Sequence, residues 1–284
     1  MFRDRSGSRF MLTAACALLL WGPCVRSSFA QPQIDKAWGI LNGAAGDSNA
    51  DKRAGATSVL GLLPKDAKAQ ELAEKGLKDE KPQVRAAAAE ALGAMHAMSA
   101  VPLLKAAIQD KDVTVVLAAA HALYVMKVPA AYEVYYAVLT GEKKSGNGLM
   151  ADQKKMLSDP KKMGQLGFEV GIGFIPFAGL GIGAINAITK DDASPVRAAA
   201  AKLLATDPDP KSGEALVNAA FDKSWIVRAA ALAAIAQRGD YTLGPRIEAD
   251  MDYEKEQVSY LAAATVIRLQ DVRTSSKTGA KNIK

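Results

Sequence analysis

Beyond residue 30 the chain holds no cysteine; its two, Cys16 and Cys24, both lie before that point. A chain starting at residue 31 would have no disulfide, thiolate nucleophile or thiolate metal ligand, and its core alone would hold it together. Histidine is nearly as scarce. His96 and His121 are each followed by alanine, and no H-E-x-x-H, G-x-S-x-G or P-loop pattern occurs. No catalytic residue, metal ligand or cofactor site is therefore expected. Aromatic residues make up only 6% of the chain, whereas strands favour aromatic and β-branched side chains and alanine favours helix. The alanine-rich composition points to an all-α protein. A strong charge imbalance is also missing. The formal +6 is concentrated at the ends: residues 1–30 hold four Arg and one Asp, and Arg273–Lys284 holds four basic residues and no acid. The body between them is close to neutral, so no nucleic-acid partner is expected.

The first 30 residues read as a secretory leader. Arg3, Arg5 and Arg9 precede an apolar run from Phe10 to Trp21, and Ser28-Phe29-Ala30 offers a small-x-small cleavage site. The run is shorter than the ~20 residues a spanning helix needs. Neither Cys16 nor Cys24 lies in a convincing lipobox, because Thr13 and Trp21 stand where an aliphatic residue belongs. The expectation is export to the periplasm or the extracellular space.

What the chain has in abundance is a repeat. The stretch Asp79-Glu80-Lys81-Pro82-Gln83-Val84-Arg85-Ala86-Ala87-Ala88-Ala89 returns around Val196-Arg197 and around Val227-Arg228. With Val84 as anchor, the equivalents are Lys52, Val84, Val115, Val196, Val227 and Val258, spaced 32, 31, 81, 31 and 31 residues apart. Five residues before the anchor stand Asp47, Asp79, Asp110, Asp191 and Asp222; in the last copy Asp252 is one place out of register. One residue after it stand Arg53, Arg85, Arg197 and Arg228, with Val116 and Ser259 as exceptions. Eight after it stand Leu60, Leu92, Leu123, Leu204, Ile235 and Val266. A period near 31 with two helices per unit predicts a helical solenoid whose units bury their faces only against neighbours. The second helix of each pair carries the anchor. The Asp and Arg residues form either a ladder between stacked units or a set of helix caps; both readings are structural.

These residues carry a family resemblance. The pattern Asp-x4-Val-Arg-x-x-Ala-x2-Ala-Leu resembles bacterial HEAT-repeat proteins of the phycobilisome-lyase HEAT-like type, over about 33–141 and 190–270. The resemblance implies a right-handed, armadillo-like α-solenoid of about six helix pairs that holds other proteins on its surface. Related metal-dependent hydroxylases need several His-Glu pairs, which this chain lacks, so no iron site carries over. The implied organisation is a leader at 1–30, repeats at 31–141, an insert at 142–192, repeats at 193–271 and a disordered basic tail at 272–284.

The insert explains the 81-residue spacing and falls inside the fourth repeat, whose first helix is expected at Pro129–Leu139 and whose second begins at Ser194. Its first part is Lys-rich. Its second part, residues 164–188, has seven glycines, one formal charge at Glu169, and Pro176 between Phe174 and Phe177. Three readings compete: a transmembrane span, an apolar hairpin that touches a membrane surface or a partner, and a hairpin packed back on the solenoid. Gly179-Leu180-Gly181-Ile182-Gly183-Ala184 fits a dinucleotide fingerprint, but no parallel sheet surrounds it.

The reading that follows is a non-catalytic exported scaffold for a protein partner of unknown identity. The alternatives are a membrane-peripheral adaptor using 164–188, or a lyase- or oxidoreductase-type HEAT protein acting on a prosthetic group. Glu90, His121 and Lys202, each six after an anchor, are candidate partner contacts, together with Phe174 and Phe177. Tyr132, Tyr135 and Tyr136 read as packing beside the insert.

Overall fold

A computed structural model describes residues 31–132, 134, 136 and 194–281. The expected leader 1–30 and insert 142–192, with Asp191, Phe174 and Phe177, lie outside the described residues, as does Tyr135. Within them the chain is a stack of helices and contains no strand. The α-helices are α1 Gln31–Ala45, α2 Ala50–Ser58, α3 Ala67–Gly76, α4 Pro82–Ala94, α5 Val101–Ala107, α6 Val113–Val125, α7 Ser194–Leu204, α8 Pro210–Ala220, α9 Trp225–Arg238 and α10 Glu256–Lys281. A further helical segment begins at residue 130.

Helix starts follow local chemistry. Asn49, Asp66, Asp112 and Asp209 each accept a hydrogen bond from a first-turn amide of α2, α3, α6 and α8. Pro82 and Pro210 occupy first-turn positions, where the missing amide costs nothing. Helix ends are equally regular. Gly239 closes α9 with φ +70°, and His96 and Lys127 take the equivalent left-handed position after α4 and α6 with φ 53° and 60°. At His96 the Ala97 amide reaches Leu92 O at 3.1 Å and the His96 amide reaches Gly93 O at 3.0 Å, which is a Schellman closure. His96 is therefore a helix terminator in a conformation that suits glycine. His96→Gly is expected to raise the unfolding free energy by about 1 kcal/mol, measured by urea denaturation.

The two-helix unit predicts a first helix before α10 in the last repeat; the structure has two short 3-10 turns there instead, Tyr241–Arg246 and Glu248–Asp252. Gly244-Pro245 interrupts α-helical bonding there. The tail expected to be disordered from 272 is helical as far as Lys281. No breaker follows Gln270 before Gly279, Val272 packs against Gly239, and Arg273 is buried.

The core runs along the second helices. Leu60, Leu92, Leu123, Ile235 and Val266, all eight after an anchor, are fully buried, each worth about 1.5–3 kcal/mol of transfer free energy. Neighbouring second helices pack directly: α2 on α4, α4 on α6, α7 on α9 and α9 on α10. The spatial order departs from the chain order. α10 packs against α1 and α2, and two ion pairs tie the junction, Lys36 Nζ to Asp252 Oδ2 and Lys52 Nζ to Glu256 Oε1, both at 2.6 Å. Gly55 leaves room there for the Tyr260 ring. The last repeat thus abuts the first. The stack reads α7, α9, α10, α2, α4, α6, and the two helices expected to pair as repeat four stand at its opposite ends.

Asp271 lies at this junction, half-buried on α10. Burial and the nearby Asp66 carboxylate push it up to about 6. An acid whose folded pKa is raised penalises the fold above that pH, and the penalty fades as pH falls through 6 toward the unfolded value near ~4. Asp271→Asn is expected to raise the melting temperature by about 2–4 °C at pH 7.5, after allowance for solvent screening, and to leave it unchanged near pH ~4.

Candidate interaction surface

The repeat's Asp and Arg residues make one recurring constellation. The Arg85 fork donates to Asp110 of the next repeat, Nε to Oδ2 at 2.8 Å and Nη2 to Oδ1 at 2.7 Å. Its Nη1 reaches back to Asp79 O at 2.9 Å and Glu80 O at 3.2 Å, in the loop before its own helix. Arg53 repeats the pattern on Asp79, with both fork distances 2.8 Å, and on Asp47 O and Ser48 O, both 3.0 Å. Each Asp has a second task. Asp47, Asp79, Asp110 and Asp222 accept from the amide two residues on, at 2.7–2.9 Å. The amide belongs in each case to the N-cap residue, Asn49, Lys81, Asp112 or Ser224, so these acids brace the loop before the helix without capping its first turn, and the ladder is the reading that holds. Arg is required because its planar fork can satisfy a carboxylate and two carbonyls at once.

The ladder weakens in the C-terminal half. Arg197 makes a single bond of 3.1 Å to Asp222 and leaves its Nε buried without a partner. Arg228 bonds Asp250 at 2.9 Å, not Asp252, which is exposed and pairs with Lys36. The Arg-to-Asp separation shrinks from 25 residues to 22 because 3-10 turns replace the first helix. Arg228 also lies 4.2 Å from the centre of the Tyr253 ring, a cation–π contact.

The charges respond accordingly. The Arg53 guanidinium holds Asp79 below the usual carboxylate range against the pull of burial. Burial alone would raise Asp110 and Asp222, but the amides of Asp112 and Ser224 and the guanidinia of Arg85 and Arg197 hold both below it. Burial pushes Asp250 up despite Arg228. Depressed acids contribute stability above their unfolded pKa and lose it as pH falls through the folded one, so the ladder fails progressively below about pH 4. Urea titrations from pH 5 downward are expected to show a falling midpoint there.

With the ladder turned inward, the outer face of the second helices carries other chemistry. Glu90 is exposed on α4 and His121 half-buried on the adjoining α6, so the structure brings these two onto neighbouring helices. Burial holds His121 below the usual imidazole range, which keeps it neutral at pH 7. Lys202 lies on α7 at the far end of the stack and does not join them; burial holds its ammonium below the usual lysine range. Tyr124 meets Tyr132 edge-on at 5.9 Å between ring centres, and Tyr132 lies 6.4 Å from Tyr136. These rings cap the α6 end instead of filling a core, as their exposure of 45–63% shows.

Among the described residues no group of three or more His, Cys, Asp or Glu is placed to hold a metal ion, and no helix is long and apolar enough to cross a membrane. A shallow groove between residues 205–208 and 237–240 has one wall pinned by Arg238, which donates to the carbonyls of Asp207, Pro208 and Asp209. Sequence reading missed Asp250, Arg238 and the Lys36–Asp252 and Lys52–Glu256 junction pairs.

The family comparison agrees with a helical repeat. The sequence model of a family described as HEAT repeats matches residues 39–124 and 183–265. No curated protein matches the chain. Among solved structures it is similar to human deoxyhypusine hydroxylase in complex with glycerol, at 16% identity over 85% of this chain and 89% of that one, with a TM-score of 0.31. It is also similar to the complex of CpcE and CpcF of phycocyanin lyase from Nostoc sp. PCC7120, at 20% identity over 84% of this chain and 94% of that one, with a TM-score of 0.35.

Proposed function

The chain belongs to the HEAT-repeat family, and from that premise we propose that it is a non-catalytic, exported scaffold that binds a protein partner on the outer face of its second helices. The observation that carries this reading is the division of labour along α4 and α6. Arg53, Arg85, Asp79 and Asp110 are consumed in the lattice, whereas Glu90, exposed on α4, and His121, half-buried on α6, stand outside the ladder at equal register. An array that repeats one register position on neighbouring helices suits recognition by surface complementarity. The test is affinity capture from envelope extracts with the purified protein and with a Glu90→Lys, His121→Glu double variant of unchanged melting temperature. The double variant is expected to recover the bound partner at least tenfold less; equal recovery would show that this face is not used.

A second reading rests on the apolar stretch 164–188 with its single charge, Glu169. An adaptor that rests on a lipid surface would float with liposomes, and a variant lacking 164–188 would not. Flotation that is equal with and without the stretch removes this reading.

A further inference from the structure

The fourth repeat is divided. Its first helix starts at residue 130 beside α6, and its second helix, α7, sits beyond α9 at the other end of the stack. The division leaves an uncovered face on α7. Val196, its anchor, is 72% exposed, and Leu203, seven residues on, is 78% exposed. The anchors Val84, Val115, Val227 and Val258, and the residues seven after them, Ala91, Ala122, Ala234 and Thr265, are all exposed by 3% or less. Of the five valine anchors, four thus lie in the core and one in solvent.

The lattice also shows what covers this face elsewhere. The residue seven after an anchor meets the residue nine after the preceding anchor: Ala91 packs at Gly61, and Ala122 at Gly93. By the same register the counterpart of Leu203 is Tyr124 on α6, which is 49% exposed. Within one chain the two cannot meet, because α9, α10, α2 and α4 stand between α7 and α6.

The junction of α10 with α2 is the same interface already made once. Each half ends in a copy that lacks the ladder Arg, Val116 in one and Ser259 in the other. The second half's last helix, α10, stacks on the first half's opening unit; the turn after α2 packs on it and Val59 is buried. α6 is the counterpart of α10, and α7 the counterpart of α2.

We infer that a second copy of this chain completes the array: α7 of one copy stacks on α6 and the following helical segment of the next, Leu203 against Tyr124, and restores the divided repeat between molecules. The contact is head-to-tail, so each copy keeps one donor end and one acceptor end, and assembly continues until a ring closes or the protein is exhausted. This goes beyond the scaffold reading and does not depend on it.

Sedimentation velocity of the purified protein across a concentration series tests it. The wild type is expected to gain mass with concentration. Leu203→Glu and Tyr124→Glu are each expected to stay monomeric. Both are exposed positions, so the melting temperature reports whether each variant folds, and Val196→Asp reads the same face should Leu203→Glu misfold. An equimolar mixture of the Leu203→Glu and Tyr124→Glu variants retains one intact pair of ends, and is expected to form a dimer and stop there. A wild type that stays monomeric throughout overturns the inference, whether residues 137–193 or another protein covers α7. So does a mixture that fails to associate, since that marks a two-fold contact using both faces at once.

Discussion

Arg85→Ala is expected to destabilise the protein by about 3 kcal/mol, the lower end of the range for breaking a buried ion pair, measured by urea unfolding at pH 7. Arg85 and Asp110 keep only 8% and 15% side-chain exposure, so removing the guanidinium strands a carboxylate with little water to replace it. The loss extends past one pair, because Arg85 Nη1 also holds Asp79 O and Glu80 O, the loop whose Asp79 receives Arg53. Arg85→Lys is expected to recover less than half of the loss. It restores the charge, but one ammonium cannot span both carboxylate oxygens and two carbonyls. Asp110→Asn separates the contributions further: the amide oxygen still accepts from the Asp112 amide and from Arg85 Nη2, while the charge and the acceptor for Arg85 Nε are lost. A double-mutant cycle of Arg85→Ala with Asp110→Asn is expected to give a coupling of about 1–3 kcal/mol. A coupling near zero would reduce the ladder to a chain of independent loop contacts.

The ladder shows how far sequence alone reaches. The register of Asp47, Asp79 and Asp110 with Arg53 and Arg85 was legible because each Asp stands five residues before its anchor and each Arg one after it. Asp250 was not, because Gly244 and Pro245 turn the expected helix into 3-10 turns and move the acceptor by a distance no periodicity encodes. The order of stacking was hidden for a deeper reason. Repeat faces of one lattice are chemically interchangeable: Val196 is the same residue type as Val84, Val115, Val227 and Val258, and only its exposure distinguishes it. Which faces meet is set by the geometry of the whole stack. His96 was a further blind spot, since a left-handed terminator carries glycine in one copy, Gly239, and histidine or lysine in two others. Of the candidate contacts, Glu90 and His121 were legible as one face because α4 and α6 are lattice neighbours. Lys202 shares their register but belongs to the displaced end.

Close approach between helices sets the second large effect. A Cβ built on Gly93 falls 2.6 Å from Ala122 Cα and 2.7 Å from Ala122 Cβ. The first of these atoms is backbone, so no rotamer change relieves the clash, and α4 and α6 must move apart along a core that includes Leu92 and Leu123. Gly93→Val is expected to cost about 3 kcal/mol, the upper part of the usual range for overpacking. Gly93→Ala is expected to cost about 1–2 kcal/mol, since alanine's helix preference of ~1 kcal/mol offsets part of the strain. Gly39, in the middle of α1, supplies the control. A Cβ there meets nothing within 4 Å, and Gly39→Ala is expected to stabilise by up to ~1 kcal/mol. Opposite signs at two helical glycines would separate packing from propensity, which acts alike at both. A second substitution locates the clash. Ala122→Gly removes the methyl at 2.7 Å but leaves the Cα at 2.6 Å. Added to Gly93→Ala, it is expected to restore less than half of the lost stability, while its own loss of helix preference is measured separately. Full rescue would mean that the helices touch through side chains only, and that their spacing is free to adjust in a way this lattice does not allow.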